Sequence, residues 1–412
     1  TPSRVAEIPR GGISLMSSSS STPAHYGGEP IRDEVLGYGS QSISKTDKKA
    51  ITEALEGDYI TRGPAVEEFE QRVADFVGVD HAVASTSGTT ALHLAGEAAG
   101  FESGDEVITT PLTFVSTAHV ATYTGATPVF ADIDPHRRSL DPDAVREQIT
   151  DDTAGIVPMH YDGLPADIEE LLTIADEHDL TVIWDACHAF GGEWRDELIG
   201  AQRDMVMFSF HPVKNITTGE GGMVVTDDDE LAKRLRRFRS FDMDYAPAGY
   251  EDEPWYQVTE GVGYNYNFTD IQAALGLAQL DRIKEFKAQR DMIIESYNAA
   301  FEEVPGIRTP PDPVESDPMR HLYAIEVNEE FGCDRKEFIN AMHAENLGVQ
   351  VHYVPLHYHP YFQEEFGYEE GMFPVAEDVY DKLVSMPLHA EMNRDDIEKV
   401  VQAVERLHRY HN

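Results

Sequence analysis

Cysteine is nearly absent from this chain. Its 412 residues hold two, Cys187 and Cys333, which form no CxxC pair and no zinc-ligand spacing. That argues against a disulfide framework and fits a reducing cytoplasm. No run approaches the ~20 apolar residues of a membrane span, and no apolar signal-peptide core is found at the N-terminus. Lysine is scarce as well: between Lys49 and Lys233 it occurs once, at Lys214. Positive charge as a whole is short, 32 Lys and Arg against 75 Asp and Glu, for a formal net charge of −43. Such a balance repels nucleic acid and anionic lipid, so neither is expected as a partner. The acids are spread over amphipathic segments (Asp143 with Glu147, Asp227 with Glu230, Asp395 with Glu398) and are not collected in a tail. This pattern suits a halophile, whose salty cytoplasm screens the self-repulsion; an ordinary acidic enzyme is the plainer alternative.

What is present is an alternating pattern long enough for two or three domains. Residues 1–41 read as a flexible leader or arm, with a serine run at 17–21 and Met16 placed before it as a possible initiator. Beyond residue 44, helices are predicted over 48–56, 65–77, 89–99, 115–123 and 168–177. Strands are predicted over 81–85, 106–109, 128–131, 155–159, 181–184, 205–208 and 223–226. Short apolar strands alternating with helices predict a mostly parallel sheet with helices on both faces. One long helix over 270–300 leads to looser text, with strands at 322–327 and 349–355 and helices at 336–345, 376–383 and 394–408. The expected organisation is a large α/β domain over 42–290 and a small C-terminal α+β domain over 291–412.

Chemistry-bearing residues fall at the strand ends, where open α/β sheets place ligands. Thr86-Ser87-Gly88-Thr89-Thr90 joins a strand to a helix; its amides and hydroxyls suit a phosphate, or serve as a plain helix cap. Phe114 follows the next strand and can stack on a planar group or belong to the core. The run Thr181-Val182-Ile183-Trp184-Asp185 ends in an acid, with His188 three residues on. An acid there can hold a pyridinium nitrogen protonated, or cap a helix. Lys214 follows the apolar strand through Ser209-Phe210 and precedes Thr217-Thr218-Gly219-Glu220-Gly221-Gly222. An apolar setting favours the amine over the ammonium, as a Schiff-base lysine requires; a surface lysine is the alternative. Last comes the Asn-rich loop Gly263-Tyr264-Asn265-Tyr266-Asn267-Phe268-Thr269-Asp270.

In this order the segments resemble the DegT/DnrJ/StrS sugar aminotransferases, pyridoxal 5'-phosphate (PLP) enzymes of fold type I, the aspartate aminotransferase-like fold. The resemblance runs from Tyr59-Ile60-Thr61-Arg62-Gly63-Pro64 to Met386-Pro387-Leu388 and is most specific around Lys214, Asp185 and 263–276. It implies that Lys214 forms the Schiff base with PLP and that Asp185 pairs with the ring nitrogen. Ser87, Gly88, Thr89 and Ser209 would bind the phosphate, Phe114 would stack on the ring, and His188 would lie beside the phenolic oxygen. Asn265 would reach a phosphate of the neighbouring subunit, implying a homodimer with shared active sites. Asn267 departs from the family, many of whose members carry a basic residue there.

By the same resemblance, glutamate is the donor and a nucleotide-diphosphate keto sugar the acceptor, in ping-pong order. His188 together with the Lys214 segment looks most like members acting on UDP-linked 4-keto sugars; relatives acting on 3-keto sugars more often have Gln at position 188. Val351-His352-Tyr353-Val354-Pro355-Leu356-His357 resembles a family segment near the cleft, making His352 and His357 candidate substrate contacts or structural histidines. A dehydratase of the same scaffold typically carries His where Lys214 stands, and no strand-linked GxGxxG supports a nicotinamide dehydrogenase. A non-catalytic regulator finds no DNA-binding module here.

Overall fold

The computed structural model of the chain describes residues 22–245, 247–250, 252–253 and 255–412. Met16 and the serine run lie outside the described residues. Seven strands meet in one sheet: β1 (His81–Ser85), β2 (Glu106–Thr109), β3 (Thr127–Phe130), β4 (Thr153–Val157), β5 (Thr181–Asp185), β6 (Met205–Ser209) and β7 (Gly222–Thr226). Their spatial order is β1-β7-β6-β5-β4-β2-β3. From β6 to β3 neighbouring strands run parallel, while β7 is antiparallel to both β6 and β1.

The side chains explain why the sheet is buried on both faces. Along β5, Val182 and Trp184 enter one apolar cluster and Ile183 the other; along β6, Val206 and Phe208 are divided from Met205 and Met207 in the same way. Strands apolar at every position need cover on both sides, which the crossover helices supply. Burying one such side chain is worth about 1.5–3 kcal/mol.

The expected single helix over 270–300 is two, Asp270–Leu280 and Ile283–Phe301. The apolar pattern runs through both, but the chain bends at Arg282. Its guanidinium reaches Ser42 Oγ at 3.2 Å and Asp47 Oδ2 at 3.3 Å, a tertiary demand that the local sequence does not record. The second helix packs with Arg394–His411 around Tyr297, Phe301, Tyr323, Val400 and Val404. Against them lies an antiparallel sheet in the order Ile307–Arg308, Tyr323–Val327, Leu383–Met386.

Two expectations are corrected, one for this C-terminal body and one for the N-terminal segment. Residues 349–355 form no strand; they make a single bridge, Gln350 with Ser385, because the His352 carbonyl instead accepts the Tyr161 hydroxyl. Residues 22–41 are not a loose arm. The amides of Ala24 and Ile31 donate to the buried Glu345 carboxylate at 2.9 and 2.8 Å, and Leu36 pairs with Leu347 and enters the apolar core.

Candidate active site

The parallel strands deliver their C-terminal ends to one edge, and the site is assembled there. β5 and β6 are neighbours, with Asp185 opposite Met207, so the acid and the lysine loop after β6 are adjacent by topology. Asp185 is 2% exposed. Its Oδ2 accepts the Thr117 hydroxyl at 2.7 Å and its Oδ1 the Cys187 amide at 3.1 Å. Among the described residues no cationic side chain forms an ion pair with it. A buried carboxylate held by two donors and no cation is costly unless a positive group arrives from elsewhere.

The Lys214 loop is held at both ends. Ser209 is opposite Gly222 in the β6–β7 ladder, Phe210 N donates to Gly221 O at 2.8 Å, and Thr218 N returns to Phe210 O at 3.0 Å. Within it, Asn215 Nδ2 bonds the carbonyls of Phe190 (2.9 Å) and Met319 (2.8 Å). The Lys214 charge is felt by Cys187, His188, His321 and His352. Burial first, then this charge, pushes His188 and His321 well below the ordinary imidazole value. The same two causes bring His352 to about 4. Burial also raises the Cys187 thiol, with Asp185 adding to it.

Between them lies an anion cradle. Ser87 caps the helix Gly88–Ala99 in a reciprocal box with Thr90, leaving the first-turn amides directed at the sheet edge. A Cβ on Gly88 would stand 3.0 Å from Ser209 Cβ and 3.1 Å from its Oγ, so glycine is what allows β6 and the helix start to meet. Thr89 Oγ1 lies 2.6 Å from Ser116 Oγ, adding a hydroxyl that sequence reading missed. Phe114 caps the helix Val115–Thr124, is 52% exposed, and faces Tyr353 at 6.0 Å between ring centres.

His188 is fully buried. Its Nδ1 faces the Asp162 amide at 3.3 Å and can only accept there, so the neutral ring carries its proton on Nε2, 3.0 Å from the Tyr353 hydroxyl. His321 stacks obliquely on it at 4.5 Å, and among the described residues its buried Nδ1 has no hydrogen-bond partner. His352 joins this group through its ring and bonds Ser385 Oγ at 2.8 Å. His357 does not join it: its side chain is fully buried and bonds Glu377 at 2.9 Å, beside Phe373. Asn265 is exposed and accepts from Asn267 Nδ2 at 2.9 Å. Thr117, Ser116, His321 and Tyr353 were not singled out from sequence; the Thr113-x-x-x-Thr117 spacing, one helical turn, was the available signal for the first.

The sequence profile of the DegT/DnrJ/EryC1/StrS aminotransferase family matches residues 41–405. The chain belongs to that family. It is a PLP-dependent sugar aminotransferase, with the type I fold of its relatives. Spore coat polysaccharide biosynthesis protein SpsC of Bacillus subtilis (strain 168) is 42% identical over 377 residues, covering 90% of this chain and 97% of that one. Among solved structures, Helicobacter pylori PseC, an aminotransferase involved in pseudoaminic acid biosynthesis, superposes with a TM-score of 0.86 at 30% identity. That match covers 92% of this chain and all of PseC. DesI, solved in the presence of its TDP-sugar product, superposes with a TM-score of 0.84 at 31% identity, over 94% of this chain and 96% of DesI. The residues present fit the cofactor: a buried acid lacking a cation, a glycine-lined anion cradle and a lysine stand at one sheet edge.

Proposed function

We propose that this aminotransferase moves the amino group of glutamate to the 4-keto carbon of a UDP-linked 6-deoxyhexose or hexosamine, in ping-pong order. The observation that carries the cofactor chemistry is the placement of Asp185 and the Lys214 loop on adjacent strands with the Gly88 cradle beside them; the choice of a 4-keto sugar rests on His188 and the Lys214 segment. PLP, when bound, supplies a ring that accepts the negative charge developed at the donor's α-carbon. Asp185 holds the proton on the ring nitrogen. The amides of Gly88 and Thr89 and the hydroxyls of Ser87, Thr89 and Ser209 hold the phosphate, and Phe114 covers the ring. Lys214 Nζ would hold the cofactor covalently and, as a free amine, would move the proton from the donor's α-carbon. His188 directs its Nε2 proton at the Tyr353 hydroxyl, and this pair would lie beside the ring oxygen. His352 contacts substrate.

A nucleotide-linked acceptor is supported by the DesI neighbour with its TDP-sugar product, and a polysaccharide role by SpsC. No helix of the described residues is long and apolar enough to cross a membrane; a cytoplasmic setting is part of the proposal. So is a homodimer in which Asn265 reaches the neighbouring site. Asn265 is exposed, and the adjoining Tyr59 and Ile60 expose large apolar surfaces, joined to this loop by Asp270 N to Ile60 O.

The test is the visible spectrum of PLP-loaded protein in high salt, before and after glutamate, beside Lys214→Ala. A cofactor band that glutamate bleaches in the wild type but not in the variant is expected. A band indifferent to glutamate removes the donor. UDP- and TDP-linked 4-keto and 3-keto sugars, offered next to the aminated cofactor form, then decide the acceptor.

A further inference from the structure

A second cluster of reactive side chains lies in the C-terminal body, apart from the Lys214 site. Cys333 Sγ, a Glu337 carboxylate oxygen and a His411 ring nitrogen all stand within 4.8 Å of one another. They come from the turn before the helix Arg335–Ala344, from that helix's first turn, and from the end of the helix Arg394–His411. Tyr26 adds a fourth group. Its hydroxyl donates to Glu337 and lies 3.1 Å from His411 Nε2.

The packing holds these groups together. Gly332 has φ +99°, and a Cβ on it would stand 2.7 Å from His411 Cβ, so only glycine lets the last helix end against Cys333. Asn412 Nδ2 bonds the Phe331 carbonyl at 3.1 Å, and Tyr410 stacks on Tyr26 at 4.2 Å. Tyr26 and Glu337 are 311 residues apart in sequence, so no local spacing could reveal the set.

We propose that Cys333, Glu337 and His411, with the Tyr26 oxygen as fourth ligand, form a site for a borderline-soft divalent cation, zinc foremost. Tetrahedral zinc with bonds of about 2.0–2.3 Å sets its ligand atoms roughly 3.3–3.8 Å apart, within the spread found here. A sulfur, a nitrogen and a carboxylate favour zinc over magnesium or calcium, which prefer all-oxygen shells. Metal binding exchanges the thiol proton for the cation and releases it to solvent. The ion would fasten residue 26 and the last helix to one point.

Cobalt tests this because its tetrahedral d–d bands lie to the red of PLP absorption, and the near-ultraviolet sulfur-to-metal transition is read as a difference spectrum against the cobalt-free holoenzyme. The full-length holoenzyme is titrated with cobalt chloride in high salt and excess magnesium, which occupies the acidic surface. One equivalent should give intense tetrahedral bands with a sulfur-to-metal transition. Cys333→Ser should abolish the latter, and His411→Gln, at an accessible helix end, should weaken binding ~10-fold or more. Zinc should raise the melting temperature of the wild type and not of His411→Gln. Pale six-coordinate cobalt overturns the site. So does a tetrahedral spectrum that survives both substitutions, or one lost only in Cys187→Ala.

Discussion

The Thr117 hydroxyl donates to Asp185 Oδ2 at 2.7 Å, opposite the amide of Cys187 on Oδ1. Together they fix the orientation of the carboxylate that is proposed to hold the ring proton. Thr117→Val removes one hydrogen bond to a charged acceptor, worth about 1.5–3 kcal/mol. kcat/KM for the glutamate half-reaction should then fall ~10–100-fold. Asp185→Ala should lose on the order of 10³-fold or more, since the ring nitrogen is no longer kept protonated. A Thr117→Val enzyme with wild-type rates would detach Thr117 from the chemistry.

Gly88→Ala places a methyl against Ser209 at 3.0 Å, closing the gap where strand and helix meet. PLP affinity should drop ~10-fold or more with little change in the circular dichroism of the apo-protein. Equilibrium titration of cofactor fluorescence reads it; an unchanged dissociation constant would place the phosphate elsewhere.

Acid should destabilise the fold through histidine. Burial holds His160 at about 3 and His352 and His389 at about 4, and keeps His188 and His321 well below 6.5. Unfolding restores the ordinary value, so below pH 6.5 the unfolded chain binds protons that the folded chain refuses. Their contribution is complete above about pH 6.5 and is lost as pH falls toward 4, at up to about 1.4 kcal/mol per histidine per pH unit. Asp162, raised to about 6 by burial, opposes this between pH 6 and 4, one group against five. Melting at pH 7.5 and 5.5 in constant high salt should show the lower value at 5.5; a flat or inverted profile would contradict the burial of these rings.

Glu345 is 1% exposed and bonds Ala24 N, Ile31 N and the Arg406 guanidinium. Glu345→Ala strands a buried arginine and releases two amides, which should cost about 3–5 kcal/mol in urea melts. Proteases should then cut first within residues 22–41. If cleavage and stability match the wild type, the segment is held by its apolar contacts alone.

A net charge of −43 should make the fold salt-dependent. Raising potassium chloride should raise the melting temperature steeply through the range where the Debye length shrinks from ~10 to ~3 Å. Full stability in dilute buffer would set the high-salt adaptation aside.

The sheet was legible because β1 to β7 are short and mostly apolar, and the site candidates stood out because strands end in residues unlike their interiors: Asp185 after Trp184, Ser209 after Phe208. Local chemistry was enough to flag them. The support around them was not legible, since Thr117 in a helix and His321 before a strand look ordinary until the fold brings them to Asp185 and His188. Tyr353 lies within the segment 351–357, where nothing local distinguishes a partly buried tyrosine beside His188 from a core aromatic. The break at Arg282 and the docking of residues 22–41 depend on partners such as Asp47 and Glu345, far off in sequence. Patterns of apolar residues say what is buried; they do not say which distant carboxylate a buried amide will find.

The loop between β6 and β7 is pinned by the ladder at Ser209 and Gly222, with Asp185 on the next strand over. Its length is therefore a fixed gauge. On the roles proposed for Lys214 and Asp185, one residue added or removed would shift the lysine against an acid that cannot follow, and activity should be lost without any side chain having changed. Tolerance to changes of length should therefore be found elsewhere in the chain and not between residues 209 and 222.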